Sequence, residues 1–313
     1  MVTLFILAPL FGEVVSGATP VLEFVKPISL TILILLYGCG ALIVRELVIR
    51  WDKGWPSLLL LALAYGIYEE GVMMQSFFDP TWGDLDALAV YGRAAGVNWV
   101  WAEQVTLIHA LISIACSIAI VEMLFPSRRH CRWVTTRAGW VLNWVGFIGV
   151  YLFWELYDHY EPGIVYRVGA WLAILALAGL ARVIPKRFLP AREQSVPRPW
   201  RFFIVGFFGF LMHFVITYIS SDANLYPYPV TMALLAGWYL LLLWLVMRWS
   251  GNGAAWDDRH RMSLVSGALS LFIIVVLLAT GPEFPLIYFT HPIFLLLLWL
   301  AGRSVRRRVL AAE

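Results

Sequence analysis

Charge is what this chain has least of. Only 14% of its 313 residues are Asp, Glu, Lys or Arg, while 61% are hydrophobic. A soluble core of this length could not accommodate that balance, which excludes an ordinary globular protein. Cysteine is scarce too. Cys39, Cys116 and Cys131 are scattered along the chain, which excludes a disulfide framework and a cysteine metal site. The sequence has no phosphate-binding glycine loop and no serine-protease dyad. Long polar stretches are also missing, so no connection is large enough to hold a separate soluble domain.

What is present is apolar length. A helix needs about 20 apolar residues to cross the hydrocarbon core of a bilayer. Such windows fall at roughly 2–16, 28–48, 56–78, 99–125, 139–159, 164–184, 202–221, 229–249, 263–281 and 286–302. The expected fold is therefore an all-α, polytopic helical bundle of about ten transmembrane helices in one domain. Its one candidate joint is the Pro- and Arg-rich loop 185–201. All 23 basic residues except Lys26, Arg93 and Arg167 lie in alternate connections or at their edges. The positive-inside rule reads this as both termini in the cytoplasm of a plasma (inner) membrane protein. That orientation also accounts for the arginine loops, so nucleic acid is not an expected partner. Trp51, Trp55, Trp99, Trp101, Trp133, Trp140, Trp249 and Trp256 sit near span ends, as interfacial tryptophans do. Ser16-Gly17-Ala18 fits a signal-peptidase site, but no basic segment precedes it and Glu13 interrupts the apolar run. A retained first helix, short or re-entrant, is expected. The other face carries acids: Glu23, Asp79, Asp84, Asp86, Asp158, Glu161, Asp222 and Glu283. Its longest connection, 79–98, has apolar residues at Leu85, Ala89 and Val90 spaced for a short helix lying on the surface.

An ionisable side chain at bilayer depth costs several kcal/mol, so each one needs a reason. Glu69 and Glu70 lie in the outer half of the third window, His109 near the middle of the fourth and Glu103 two turns above it. Glu155 lies near the outer end of the fifth, with Asp158 and His159 at its mouth; His213 is near the middle of the seventh, and Glu13 is in the outer half of the first. Helical spacing gathers Glu103, Thr106, His109, Ser113 and Cys116 into one stripe. It gathers Asn143, Tyr151, Glu155 and His159 into a second, and His213, Thr217 and Ser220 into a third. Three polar stripes rising to one surface predict a wet cavity open to the outside. Glu69 and Glu70 diverge by about 100° on a helix, so only one of them is expected to face a given neighbour squarely. Gly66 and Gly71 bracket the pair and permit a bend or a close helix contact.

Each of these residues also has a structural reading. Glu13, Glu103 and Glu155 are close enough to an interface to reach water. Glu46 and Glu122, at the other face, suit pairing with Arg45, Arg50 or Arg128. An intramembrane histidine often serves only to hydrogen-bond neighbouring helices. A Glu pair is harder to explain as structure alone. Two acids in low dielectric cannot both ionise cheaply, so such a pair readily takes up and releases a proton, as proton-coupled carriers require.

The Glu69-Glu70 pair followed by the intramembrane His109 resembles the intramembrane metal-dependent proteases of the CAAX- and bacteriocin-processing type. The resemblance implies a hydrolytic centre on paired glutamates and histidines, with His213 as the later histidine. The chain departs from that pattern at Met74, where an arginine is expected, and at Thr217, where an asparagine is expected four residues after the histidine. Three functions are thus consistent with the sequence. The first is a proton- or cation-coupled transporter of a small solute. The second is an intramembrane metal-dependent hydrolase, and the third a non-catalytic module that binds lipid or a partner subunit. The candidate binding or proton-relay residues are Glu69, Glu70, His109, His213, Glu103 and Glu155. No cofactor is required; a divalent metal on Glu69, Glu70, His109 and His213 is the one the sequence allows. The implied partners are the lipid bilayer and a small solute or cation, and the oligomeric state stays open.

Overall fold

Eleven helices form among the described residues of the computed structural model, which covers 1–156, 160–281 and 284–312, the side chains of Asp86 and Ala87 excepted. The sequence expectations for Asp158, His159 and Glu283 fall outside the described residues. In chain order the helices are α1 (Val2–Val14), α2 (Val21–Phe24), α3 (Pro27–Arg50), α4 (residues 55–73), α5 (Trp99–Leu124) and α6 (Arg137–Trp154). They continue with α7 (Ile164–Val183), α8 (Pro199–Asp222), α9 (Tyr228–Trp249), α10 (Asp258–Thr280) and α11 (Ile287–Leu310).

Local chemistry marks many of the starts. Proline occupies the first turn of α3, α4, α8 and α9, where its missing N–H costs nothing. Asn98 caps α5 by accepting from the Trp101 N–H at 3.0 Å, and Thr136 caps α6 by accepting from the Gly139 N–H at 3.1 Å. Asp257 caps α10, accepting from the N–H groups of Arg259 and His260 at 2.8 and 3.2 Å. Partial burial opposes ionisation of Asp257, but hydrogen bonds from Arg259 and His260 outweigh it and hold its carboxyl below the usual aspartate value. Its stabilisation is therefore complete above the unfolded-state value and is lost as pH falls through the folded one. Asp257→Ala should cost about 1 kcal/mol near neutral pH. That deficit, followed by thermal unfolding in detergent, should shrink on acidification; a deficit independent of pH would exclude the carboxylate as its source.

Seven helices are long and apolar enough to cross a membrane: α3, α5, α7, α8, α9, α10 and α11. This corrects the expectation of about ten. The other three windows are helical but differ in kind. The first becomes Val2–Val14, shorter than the usual span of about 20 residues. The third is diluted by Glu69, Glu70 and two tyrosines (Tyr65 and Tyr68), and the fifth by Arg137, Asn143 and three tryptophans (Trp140, Trp144 and Trp154).

Of the seven long spans the most enclosed is α5, 72% buried over its most apolar stretch, whereas α7 and α9 are each only 11% buried. Two apolar cores meet on α5. One gathers Leu4, Leu42, Tyr65, Phe147 and Ala181 around Ala110 and Ile114. The other gathers Phe11, Phe210, Met262, Phe272 and Leu298 around Ile112 and Cys116. Within the second core α8 crosses α10 at backbone contact. A Cβ on Gly206 would lie 2.1 Å from the Leu264 carbonyl, and one on Gly267 would lie 2.0 Å from that of Phe203. Only glycine fits there.

Segment 74–98 departs from the expected surface helix. It holds a single 3₁₀ turn, Asp86–Ala89, and a two-residue hairpin of β1 (Arg93–Ala94) and β2 (Val97–Asn98). Leu85 and Leu88 are buried with Phe77, Phe78, Val97 and Trp101 in a small core of their own, while Val90 is 84% exposed. Buried Asn98 ties the segment together, its side-chain amide donating to the Leu88 carbonyl at 2.5 Å and its N–H to the Phe77 carbonyl at 2.8 Å. These long-range pairings compete with the weak helical spacing and win. The segment packs over the ends of α4 and α5.

Candidate functional site

The polar centre lies where four helices widen. Residues Leu10–Val14 of α1, Ile34–Gly38 of α3, Tyr68–Met73 of α4 and His109–Cys116 of α5 form π-helical turns. In such a turn each N–H bonds five residues back, as the Val15 N–H does to the Leu10 carbonyl and the Met74 N–H to that of Glu69. π-Turns are rare and concentrate at functional sites, because the extra residue pushes side chains out of helical register. These four carry Glu13, Tyr37, the Glu69-Glu70 pair and His109.

His109 is clasped between the two glutamates. Its Nε2 is 2.8 Å from Glu70 Oε1, and its Nδ1 is 3.1 Å from Glu69 Oε2. Divergence of the two side chains does not prevent both from reaching the ring. The imidazole offers nitrogens on opposite edges, and the widened turn lets one carboxylate take each. All three residues are buried, Glu69 to 1% exposure. Ser76 donates to Glu70 Oε2 and accepts from the Trp101 indole N–H at 2.9 Å, so the segment over the site is bonded directly into it. Ser113 lies 3.3 Å from His109 Nδ1.

A third carboxylate adjoins this group. Glu13 accepts from the Tyr37 hydroxyl at 2.7 Å and from the Thr19 hydroxyl, and the Tyr37 and His109 rings are 6.1 Å apart. Tyr37 and Tyr65 both lie beside Glu69. Even so, Glu69 Oε2 and the Tyr65 hydroxyl are buried without a well-directed hydrogen bond among the described residues. Glycines make this crowding possible. A Cβ on Gly12 would be 2.3 Å from the Tyr37 ring, and one on Gly66 would be 2.9 Å from the Thr106 carbonyl of α5. Glu13 was legible in the sequence as an acid in the outer half of the membrane with an interfacial alternative, but not as a neighbour of Glu69, Glu70 and His109. Tyr37, Ser76 and Trp101 gave no signal there, because tyrosine and tryptophan are common throughout a chain of this kind.

The remaining predicted residues go elsewhere. His213 does not join the expected shared cavity. Its Nδ1 is 2.9 Å from the Tyr239 hydroxyl and its Nε2 is 3.3 Å from Gln104 Oε1, so both nitrogens are occupied between α8, α9 and α5. Glu155 pairs with Arg167 at 3.0 Å. Glu103 is half-buried, and its Oε2 has no hydrogen-bond partner among the described residues. Rather than opening outward as a wet cavity, the Glu-Glu-His centre is packed beneath segment 74–98.

One oxygen from each of Glu69 and Glu70 and one nitrogen of His109 lie within 4.8 Å of one another. This is the donor set among the described residues that suits a metal ion with oxygen and imidazole ligands. No Lys or Arg forms an ion pair with Glu13, Glu69 or Glu70 among the described residues. An all-α, multi-pass membrane protein with a buried Glu-Glu-His group is thus the class that fold and site define. The chain belongs to an uncharacterized membrane protein family, whose model matches residues 2–312. No curated protein and no solved structure matches it.

Proposed function

We propose that the protein is a proton- or cation-coupled transporter of a small solute, with Glu69, His109 and Glu70 as the group that binds the coupling ion. Charge balance carries this reading. Three buried carboxylates, Glu13, Glu69 and Glu70, face one imidazole, and the described residues supply no other cation. Even a protonated His109 leaves negative charge in a medium where uncompensated charge is costly. Protons or a bound cation must cancel it. A site that requires such a counter-charge, and that is built on widened turns able to shift register, can couple ion uptake to a change in helix packing. His213 and Glu155 lie outside this group, held by partners of their own, and Glu103, whose Oε2 has no hydrogen-bond partner among the described residues, is a candidate entry position. A pH jump applied to oriented proteoliposomes tests the reading without knowledge of the solute. A transient charge displacement is expected, and a silent wild-type protein would refute ion uptake at this centre.

The close grouping of two carboxylate oxygens and an imidazole nitrogen favours a second reading, an intramembrane metal-dependent hydrolase. In that case a divalent metal would polarise a carbonyl and activate water. Metal analysis of the purified protein separates the two. Stoichiometric metal retained through purification and lost in His109→Ala supports the hydrolase, and metal-free protein with an intact pH-jump response supports transport.

The same proposal sets one membrane domain in the plasma (inner) membrane with both termini cytoplasmic, on the arginine asymmetry of the connections; that orientation requires the shorter helices α1, α4 and α6 to cross as well, beside the seven longer ones. In a variant with Cys131 replaced by Ser, cysteines placed singly at Asp84, Ser195 and Asn252 should react with an impermeant thiol reagent in intact cells only at position 84. Labelling at 195 would invert the orientation.

A further inference from the structure

The end of α9 presents a cavity of about 330 Å³ lined by Arg192, Gln194, Ser195, Pro197, Arg248 and Trp249. Its wall is assembled from two distant parts of the chain. The Gln194 side-chain amide donates to the Arg248 and Trp249 carbonyls at 2.6 and 3.1 Å. The Arg192 N–H donates to the Gly251 carbonyl at 3.1 Å, and the Asn252 amide to that of Pro190 at 2.7 Å. Gly251 has a positive φ of 62°, and a Cβ there would lie 2.2 Å from the Arg192 carbonyl, so the turn after α9 is shaped to receive the loop. Both guanidinium groups are exposed, and neither Arg192 nor Arg248 forms an ion pair among the described residues. Several other arginines are already engaged: Arg45 pairs with Glu46, Arg129 and Arg308 with Asp258, and Arg167 with Glu155.

What continues from the cavity indicates the ligand. Arg248 lies over the Trp244 ring at 5.6 Å. One and two helical turns further along the same face come Trp244 and Leu241, 55% and 50% exposed, followed by Gly237, beside which there is open space. An apolar track therefore runs down a span that is almost wholly exposed, directly beneath two unpaired guanidiniums at its interfacial end. Paired arginines recognise phosphate by charge and by forked hydrogen bonds. A free phosphate would have no use for the track, whereas a phospholipid would fill both parts. We infer that this cavity is a binding site for the phosphate headgroup of an anionic phospholipid, whose acyl chain lies along Gly237, Leu241 and Trp244. The site is independent of the Glu-Glu-His centre.

Native mass spectrometry of the full-length protein in mild detergent, with phosphatidylglycerol or phosphatidylcholine added, tests the assignment. Wild type should retain phosphatidylglycerol in preference to phosphatidylcholine. Arg192→Gln with Arg248→Gln should weaken that retention about 25-fold, from roughly fivefold per guanidinium at a membrane surface. Since neither guanidinium makes an ion pair, the double variant should unfold at the wild-type temperature; should it fail to fold, the two single variants, each about fivefold weaker, carry the test. Trp244→Ala should also weaken retention while leaving the lipid preference unchanged. Equal retention of both lipids, wild-type retention by the arginine variants, or displacement of the lipid by millimolar inorganic phosphate would each overturn the inference.

Discussion

Glu70→Gln should abolish the pH-jump charge displacement while leaving the protein folded. Glutamine keeps the shape of the side chain and offers one acceptor oxygen and one NH₂ donor group, so contacts with Ser76 and His109 can largely be preserved. What it removes is the capacity to bind and release a proton, or to contribute a charged ligand to a cation. His109→Ala should be equally silent but less stable, since it leaves Glu69 and Glu70 buried without the ring that separates them. Displacement measured on reconstituted protein, alongside thermal unfolding in detergent, distinguishes the two effects. A full-size transient in Glu70→Gln would remove the Glu69–His109–Glu70 group from the coupling step and leave the acids as structural.

The largest stability effect belongs at the opposite end of α3. Arg45, 1% exposed, places Nη1 2.8 Å from Glu46 Oε1 and Nε 3.4 Å from Glu122 Oε1. Its Nη2 donates to the carbonyls of Arg128, Arg129 and Cys131 at 3.1, 2.9 and 2.8 Å, and its guanidinium lies 3.7 Å from the Trp133 ring centroid. One side chain thus anchors the 125–134 connection to α3 and α5. Arg45→Met removes the nearer of the two counter-charges of the fully buried Glu46, leaving only Arg50 Nε at 3.5 Å, and strands three carbonyls. Breaking a buried pair in this way costs about 3–5 kcal/mol. Arg45→Lys should recover little, because an ammonium cannot present the planar fork that several acceptors use at once. Coupling Arg45→Met to Glu46→Leu should restore part of the loss by removing a buried charge that Arg50 alone compensates poorly. Thermal unfolding in detergent decides it; an Arg45→Met protein as stable as wild type would show that the loop is held by other contacts.

The two ends of the molecule illustrate different degrees of legibility. At the arginine-rich end, Glu46 and Glu122 were expected to pair with nearby arginines, and Arg45 pairs with both. Sequence proximity to a run of positive charge was enough for that. At the centre, Glu69, Glu70 and His109 were selected because each is costly alone in lipid, and the structure brings them within hydrogen-bonding distance. His213 satisfied the same criterion and is held by Tyr239 and Gln104 instead. Cost identifies a residue that needs a partner without naming the partner.

The sequence by itself determined the all-helical, membrane-embedded class, since long apolar windows can satisfy their backbone groups in lipid only as helices or closed barrels. It also determined which ionisable residues had to be accounted for. Which of them meet was decided by tertiary structure alone. Helical spacing assigns side chains to a face, but the rotation of each helix about its axis follows from packing with its neighbours. Here that packing includes the close approach of Gly66 to Thr106 and of Gly206 to Leu264. The π-turns of α1, α3, α4 and α5 likewise lie where helices converge, and they carry Glu13 and Tyr37 to the same centre as the Glu pair. Segment 74–98 became a packed cover instead of a surface helix for the same reason: Leu85 and Leu88 gain more by joining Phe77, Phe78 and Trp101 than a short helix gains at an interface.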